Sequence, residues 1–206
     1  MQDCLHRASM ARLYSPAILA GFRSDRVPDK SMGNTLAIHW IATTHGTWVH
    51  GDVRGSWVDG RLTGPDPFMQ EAIHARMTHD AVVLSPAEVG VVAGDMGYTI
   101  TQQRHRVYAA TFHPTHLHIV FAPLPEDVHT TIARLKKRSA DLILGARRQR
   151  GDDREHLWTQ GQFPVFIFDE DHLHHAIEYV RRHNTRIGVP ADPYDWIDPL
   201  FPPARV

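Results

Sequence analysis

Apolar residues fall into two kinds of stretch that alternate along this chain: short ones rich in β-branched residues, and longer ones with helical spacing. The short stretches are bounded by Gly, Pro or polar residues and predict β-strands. They cover 34–44, 106–112, 116–122 and 163–168, with Pro164 favouring a sheet edge for the last. The longer stretches predict helices at 67–77, from Ser85 onward, at 128–142 and at 169–184. This order predicts an α+β domain in which helices pack on a small antiparallel sheet.

Several boundaries follow from particular residues. The Ser-Pro-Ala-Glu sequence at 85–88 is a capping box and starts the second helix. Gly94 and Gly97 predict where this helix ends. The charged stretch 145–155 and the Gly-rich stretch 45–61 predict loops.

Length and composition limit the domain organisation and the class of protein. With 206 residues, 42% hydrophobic and 22% charged, the chain suits one globular domain and excludes wholesale disorder. We expect a flexible N-terminal tail over 1–32, one domain over 33–190 and a Pro-rich C-terminal tail over 191–206. The single Cys4 and the lack of a long apolar segment favour a cytoplasmic protein without a membrane partner.

Arginine dominates the basic residues, which points to phosphate as a partner. Only Lys30, Lys136 and Lys137 of the 22 basic residues are lysines, and the planar guanidinium binds phosphate with two parallel hydrogen bonds. Because the net charge is -1, a nucleic-acid surface would have to be a local patch. The candidate patch comprises Arg134, Lys136, Lys137, Arg138, Arg147, Arg148 and Arg150, and Arg54 lies in the Gly-rich stretch between Trp48 and Trp57. A solvated helix face followed by a charged loop is the alternative interpretation of this patch.

His116 and His118 share one face of a predicted strand, because strand side chains alternate with a period of two. Two imidazoles on a rigid strand are suited to bind a metal ion. The alternative is two surface histidines, since a chain with 16 histidines contains chance His-x-His matches.

The last predicted helix carries His175, Tyr179 and His183 at intervals of four, which places them on one stripe. A tyrosine hydroxyl, with a pKa of about 10, becomes a nucleophile only beside a metal or a base. The alternative is an ordinary amphipathic helix whose polar stripe faces water. The motifs of NTP hydrolysis, serine hydrolysis, zincins and zinc ribbons are absent from the sequence, which excludes those routes.

Together these residues resemble the HUH endonuclease superfamily. His116-Leu117-His118 looks like its His-hydrophobe-His motif, and the stretch around Tyr179, HHAIEYVRRHNTRIGVP, resembles the catalytic helix of the single-tyrosine transposases. Within these, the chain is most similar to the REP-associated tyrosine transposases of the IS200-like group. The stretch 44–55 (THGTWVHGDVRG) resembles the opening loop of one branch, and the similarity extends over about 33–190.

The resemblance implies a ferredoxin-like core, the HUH endonuclease fold, and a transposase-type enzyme that nicks and joins single-stranded or hairpin DNA. It implies that Tyr179 attacks the phosphate to form a 5′-phosphotyrosine, and that His116 and His118 bind Mg²⁺ or Mn²⁺. The third metal ligand of the family lies one turn after the tyrosine, which implies His183 in this chain. Relatives more often carry Asn or Gln at that position. Asn184 is the alternative ligand. DNA contacts are expected from Arg54, Arg134, Lys136, Lys137, Arg138, Arg147 and Arg148.

Other functions stay open at this point. They include a non-catalytic, host-adapted protein that binds DNA hairpins, another HUH nickase such as a replication initiator or relaxase, and a His-rich protein that stores or senses metal. An intact His pair with an intact Tyr favours the enzyme over the pure binder, which needs neither. The sequence also leaves open whether the chain forms a homodimer.

The three imidazoles of this ligand set favour Mn²⁺ over Mg²⁺, because Mg²⁺ prefers oxygen ligands. We therefore expect the purified protein to cleave DNA faster in Mn²⁺ than in Mg²⁺ at equal metal concentration. Equal cleavage in the two metals would contradict the ligand set.

Overall fold

The computed structural model of this protein describes residues 35–198, except for residues 54, 59, 60 and 162. The predicted tail at 1–32, Arg54 and the end of the chain from 199 lie outside the described residues. The strands are β1 (Ala37–Thr43), β2 (Ser56–Val58), β3 (Arg61–Thr63), β4 (Val107–Phe112), β5 (His116–Phe121) and β6 (Phe163–Ile167). The helices are α1 (Pro67–His74), α2 (Pro86–Gln102), α3 (Val128–Arg148) and α4 (Glu170–Arg186). No helix in the described part of the chain is long and apolar enough to cross a membrane.

Strand β1 lies inside the main sheet, whose strand order is β4-β5-β1-β6. It pairs antiparallel with β5 on one side and with β6 on the other, and β4 pairs antiparallel with β5. The elements β1, α2, β4, β5, α3 and β6 follow the βαββαβ order of a ferredoxin-like fold. The predicted α+β class, an antiparallel sheet with helices packed on it, is confirmed.

The alternation of side chains gives the sheet two different faces. Trp40 and Leu117 belong to the larger apolar core, which the sheet forms with α2 and α3. Val120 points to the opposite face and packs against the apolar stripe of α4. His116 and His118 have the same parity as Val120, so they lie on the α4 side of the sheet.

Helix α2 is longer than predicted. It begins at the predicted capping box, in which the Ser85 hydroxyl accepts from the Glu88 N–H and the Glu88 carboxylate accepts from the Ser85 N–H. The prediction that Gly94 and Gly97 end this helix is wrong, because the helix continues to Gln102. Packing of its buried side chains against the sheet outweighs the low helix propensity of glycine.

Helix α3 also continues beyond its predicted end, because its last turn is anchored by an ion pair. Arg147 Nε lies 2.7 Å from Glu88 Oε1, and the two side chains are only 10% and 14% exposed. The hydrogen bonds from Arg147 lower the pKa of Glu88 to about 2. The loop predicted over 145–155 therefore starts only after Arg148.

Residues 48–80 belong to a compact unit of their own. Within it, the stretch predicted as a loop over 45–61 contains β2, which pairs antiparallel with β3. The side chain of Asp66 caps the start of α1. Gly51 has a φ of 86°, and a side chain there would overlap the backbone of Asp66, so this position requires glycine. The Trp48 indole N–H donates to the Gly55 carbonyl at 2.9 Å.

Part of the predicted C-terminal tail packs into the larger core. Tyr194 and Trp196 stack with ring centroids 5.1 Å apart, and both meet Phe112 of β4 edge-on. Ile197 is buried in the same core. The chain that follows α4 therefore covers apolar surface as far as the described residues extend.

Gly97→Ala should destabilise the protein, because a methyl group at this position would overlap the indole of Trp196. Overpacking of this kind lowers the free energy of unfolding by about 1–3 kcal/mol. Gly94→Ala is the matched control on the same helix, since a methyl group there meets nothing within 4 Å, and it should stabilise by about 0.5–1 kcal/mol. Urea unfolding measures both changes, and equal effects would contradict the packing of Trp196 on α2.

Candidate metal and tyrosine site

The two histidines of β5 lie under α4 on one face of the sheet. His118 is fully buried, and its Nδ1 lies 3.1 Å from Nε2 of His39, within hydrogen-bonding distance. His39 belongs to the neighbouring strand β1 and is also buried. His116 is half-buried at the start of β5, with its Nδ1 3.1 Å from the hydroxyl of Thr115. Two adjacent strands therefore supply imidazoles to the same place.

His113 adds an imidazole that was not predicted as a site residue. It lies in the turn between β4 and β5, and its ring stacks on that of His116 with centroids 4.6 Å apart and an interplanar angle of 10°. The turn is closed by the His113 N–H, which donates to the His116 carbonyl at 2.8 Å. The signal in the sequence is the stretch His-Pro-Thr-His-Leu-His, in which a further histidine precedes the His-x-His pair.

Helix α4 brings Tyr179 and His183 against these imidazoles. The two residues are one turn apart on the helix, and their ring centroids are 4.6 Å apart. The ring of His118 lies 5.3 Å from Tyr179 and 5.2 Å from His183. His175, the third residue of the predicted stripe, is exposed and bonds to the backbone of its own helix. The structure thus places Tyr179, His183, His116 and His118 in one cluster.

Asn184, predicted as the alternative metal ligand, anchors the end of α4. Its side-chain amide donates to the carbonyl of Ala110 in β4 at 2.9 Å and to the carbonyl of Ala191 at 2.8 Å. Asn184 is only 1% exposed. Because these bonds tie the C-terminal turns of α4 to the sheet, they also fix the position of the adjacent His183.

Three of the histidines form a group that could hold a metal ion. The candidate ligand atoms of His113, His116 and His183 lie within 4.8 Å of one another. In the described part of the chain, the buried Nε2 atoms of His113, His118 and His183 have no hydrogen-bond partner. Such an atom costs about 1–3 kcal/mol when it is left unsatisfied, and a cation that binds its lone pair would offset this cost. The residues present therefore fit a divalent metal that accepts imidazole nitrogen.

Burial keeps the central imidazoles neutral. It lowers the pKa of His39 and of His183 to about 4, and it lowers the pKa of His118 well below 6.5. The positive charge of Arg186, and that of His113 when it is protonated, contribute further to the low pKa of His183. A neutral imidazole carries a lone pair on one ring nitrogen, which is the form that binds a metal or accepts a proton.

His39 was also not predicted, although it holds His118 in place. In a neutral imidazole one nitrogen donates and the other accepts, so the bond between His39 Nε2 and His118 Nδ1 allows two tautomeric arrangements. When His118 Nδ1 donates, its Nε2 carries the lone pair, which is the arrangement of histidines that bind metals. The sequence shows only a single histidine within an apolar strand, a pattern more typical of core packing.

Most predicted DNA-contact residues of α3 are engaged within the protein. Four of them form ion pairs with carboxylates: Arg134 with Glu126, Lys137 with Asp141, Arg138 with Asp95, and Arg147 with Glu88. Lys136 donates to the carbonyls of Thr159 and Gly161. Arg148 is exposed. The paired carboxylates reduce the positive charge that this helix offers to a phosphate backbone.

Comparisons with known proteins find a similarity in structure, and it is distant. No family model matches this chain, and no curated protein matches it in sequence. A solved structure of a REP-associated tyrosine transposase bound to a REP hairpin is similar over 75% of this chain and 70% of that chain, with 10% sequence identity and a TM-score of 0.45. Similarity at this level does not transfer function, which has to follow from the residues of this chain.

In metal-free buffer, His183→Leu should raise the free energy of unfolding by about 1–3 kcal/mol, because it removes a buried nitrogen that has no partner. The gain should grow as the pH falls from about 6.5 to about 4. The unfolded chain protonates this histidine near pH 6.5, whereas the folded chain does so only near its lowered pKa of about 4, so wild-type stability is lost across that interval.

Urea unfolding with a chelator, at about pH 7.5 and about pH 4.5, measures this gain. His175→Leu, at an exposed position of the same helix, is the control and should give no comparable gain. A loss of stability in His183→Leu would contradict the unsatisfied state of this imidazole.

Proposed function

We propose that this protein is an enzyme that nicks and rejoins single-stranded or hairpin DNA through a covalent link to Tyr179, with a divalent metal at the histidine cluster. The position of Tyr179 carries the proposal, since its ring lies 4.6 Å from His183 and 5.3 Å from His118 between centroids. A phenol with an ordinary pKa of about 10 is protonated at neutral pH and needs such neighbours to react.

In the proposed reaction, the Tyr179 oxygen attacks the phosphorus of a DNA phosphodiester and gives its proton to a neutral imidazole or to water. The bond between phosphorus and the 3′ oxygen breaks, and the 3′ oxygen takes up a proton. The products are a 5′-phosphotyrosine and a free 3′ hydroxyl. Because an aryl oxygen is a good leaving group, attack by another 3′ hydroxyl rejoins the strand without ATP.

The proposed metal ligands are His116, His118 and His183. Burial lowers the pKa of His118 and of His183, so their imidazoles keep lone pairs for a cation at neutral pH. When bound, a divalent ion such as Mg²⁺ or Mn²⁺ would offset the negative charge of the scissile phosphate. His39 would position His118 through their hydrogen bond. Asn184 is the weaker alternative, because the two bonds that its amide nitrogen donates hold its side chain against the carbonyls of Ala110 and Ala191.

DNA binding is proposed for three exposed arginines, two on the tyrosine helix and one at the end of α3, rather than for the whole basic surface of α3. Arg182 and Arg186 are exposed in the last turns of α4, and the charge of Arg186 contributes to the lowered pKa of His183. Arg148 is exposed at the end of α3. Cations in these positions would contact phosphates and release counterions, which makes binding salt-dependent.

Tyr179→Phe should abolish covalent attachment to DNA and leave non-covalent binding unchanged, because it removes only the attacking oxygen. Tyr98→Phe is the control, since Tyr98 is 59% exposed on α2, and it should retain attachment. The measurement uses labelled single-stranded fragments from DNA that flanks the gene, with Mn²⁺. A denaturing gel then detects labelled DNA that migrates with the protein.

The other outcomes of this experiment separate the alternatives. Salt-dependent binding of hairpins without any covalent adduct in the wild-type protein would indicate a non-catalytic binder. Neither adduct nor binding would contradict the proposal as a whole. An adduct that persists in Tyr179→Phe would show that another residue is the nucleophile.

A further inference from the structure

We infer that His113 is a metal ligand in addition to the three residues proposed above, and that its group with His116 and His183 binds an ion that prefers nitrogen ligands, such as Zn²⁺ or Co²⁺, over Mg²⁺. This inference rests on the metal site of the proposed function but does not require DNA cleavage. The added ligand lies in the turn between β4 and β5, whereas the three predicted ligands lie on strand β5 and helix α4.

The first support is the geometry of the three rings. Their candidate ligand atoms lie within 4.8 Å of one another, and His113, His116 and His183 are the residues that meet this condition in the described part of the chain. The rings of His113 and His116 are stacked, and the ring of His183 stands at 85° to both, with centroids 5.3 Å and 5.7 Å away. Three separate elements therefore direct imidazoles to one point.

The second support is the unsatisfied state of the nitrogen atoms. His113 Nε2 and His183 Nε2 are buried and have no hydrogen-bond partner among the described residues. Buried polar atoms in folded proteins nearly always have partners, and exceptions that meet at one point indicate a ligand that binds there.

The third support is the fixed backbone around His113. The Pro114 carbonyl accepts from the Leu84 N–H at 2.8 Å, and the Thr115 carbonyl accepts from the Thr44 N–H at 2.9 Å. These bonds hold the turn from the segment before α2 and from the end of β1. A ligand on a backbone held in this way loses little freedom when it binds a metal, which favours binding.

The ligand type determines which metal the site prefers. Mg²⁺ prefers oxygen ligands and keeps several waters, whereas imidazole suits Zn²⁺, Co²⁺, Ni²⁺ and Cu²⁺. The described group contains histidines only. We therefore expect Co²⁺ and Zn²⁺ to bind more tightly than Mn²⁺, and Mg²⁺ to bind least tightly.

The test is a titration of the metal-free protein with Co²⁺, followed by visible absorption, with Zn²⁺ or Mg²⁺ added as competitor. His113→Ala should raise the Kd for Co²⁺ by about tenfold or more. His129→Ala, which removes an exposed histidine at the start of α3, should leave it unchanged. Zn²⁺ should displace Co²⁺, and an equal concentration of Mg²⁺ should not.

A second variant keeps the test decisive if His113→Ala fails to fold. His113→Cys should add a thiolate-to-Co²⁺ charge-transfer band in the near ultraviolet that the wild-type protein lacks, because only a coordinated sulfur produces it. Unchanged Co²⁺ affinity in His113→Ala, absence of this band in folded His113→Cys, or no Co²⁺ binding by the wild type would each overturn the inference.

The outcome is separable from that of the proposed function. Co²⁺ binding through His113 without any DNA adduct supports this inference and contradicts the proposed enzyme. Adduct formation that depends on Tyr179, together with unchanged Co²⁺ affinity in His113→Ala, supports the enzyme and contradicts the role of His113.

Discussion

Burial of neutral imidazoles between the sheet and α4 is the constraint on which the candidate site depends. The Nε2 atoms of His113, His118 and His183 are buried without a partner among the described residues, where apolar side chains would pack at a lower cost in free energy. A fold that keeps such atoms gives up stability at this point. Proteins accept that loss mainly at functional sites, where the unsatisfied atoms meet a ligand.

The surrounding structure is arranged so that these imidazoles stay in place without the ligand. His39 holds one ring nitrogen of His118 from the neighbouring strand. Asn184 ties the end of α4 to β4 and to the chain beyond the helix. Thr44, at the end of β1, bonds to the turn that follows β4. These anchors come from β1 and from α4, so the geometry of the site depends on how separate elements pack rather than on one motif.

Local periodicity was sufficient to predict the α+β class, the strands of the main sheet and the common face of His116 and His118. These features depend on spacing within a single element, and a period of two or of 3.6 can be recognised in the sequence. The start of α2 was predictable for the same reason, since its capping box uses atoms three residues apart. The position of Tyr179 one turn before His183 is likewise a property of one helix.

Contacts between distant parts of the chain decided the rest. Gly97 does not end α2, because the buried side chains of this helix pack against the sheet. Gly97 also leaves room for the indole of Trp196 from the segment that follows α4. The basic side chains of α3 offer less positive charge to a DNA phosphate than their number suggests. The reason is that they form ion pairs with carboxylates, such as that of Glu88 on another helix. His39 and His113 join the site only when β1 and the β4–β5 turn meet α4. The sequence by itself determined which side chains share a face of each strand or helix. The tertiary structure decided which of those faces meet, because that depends on packing between residues far apart in the chain.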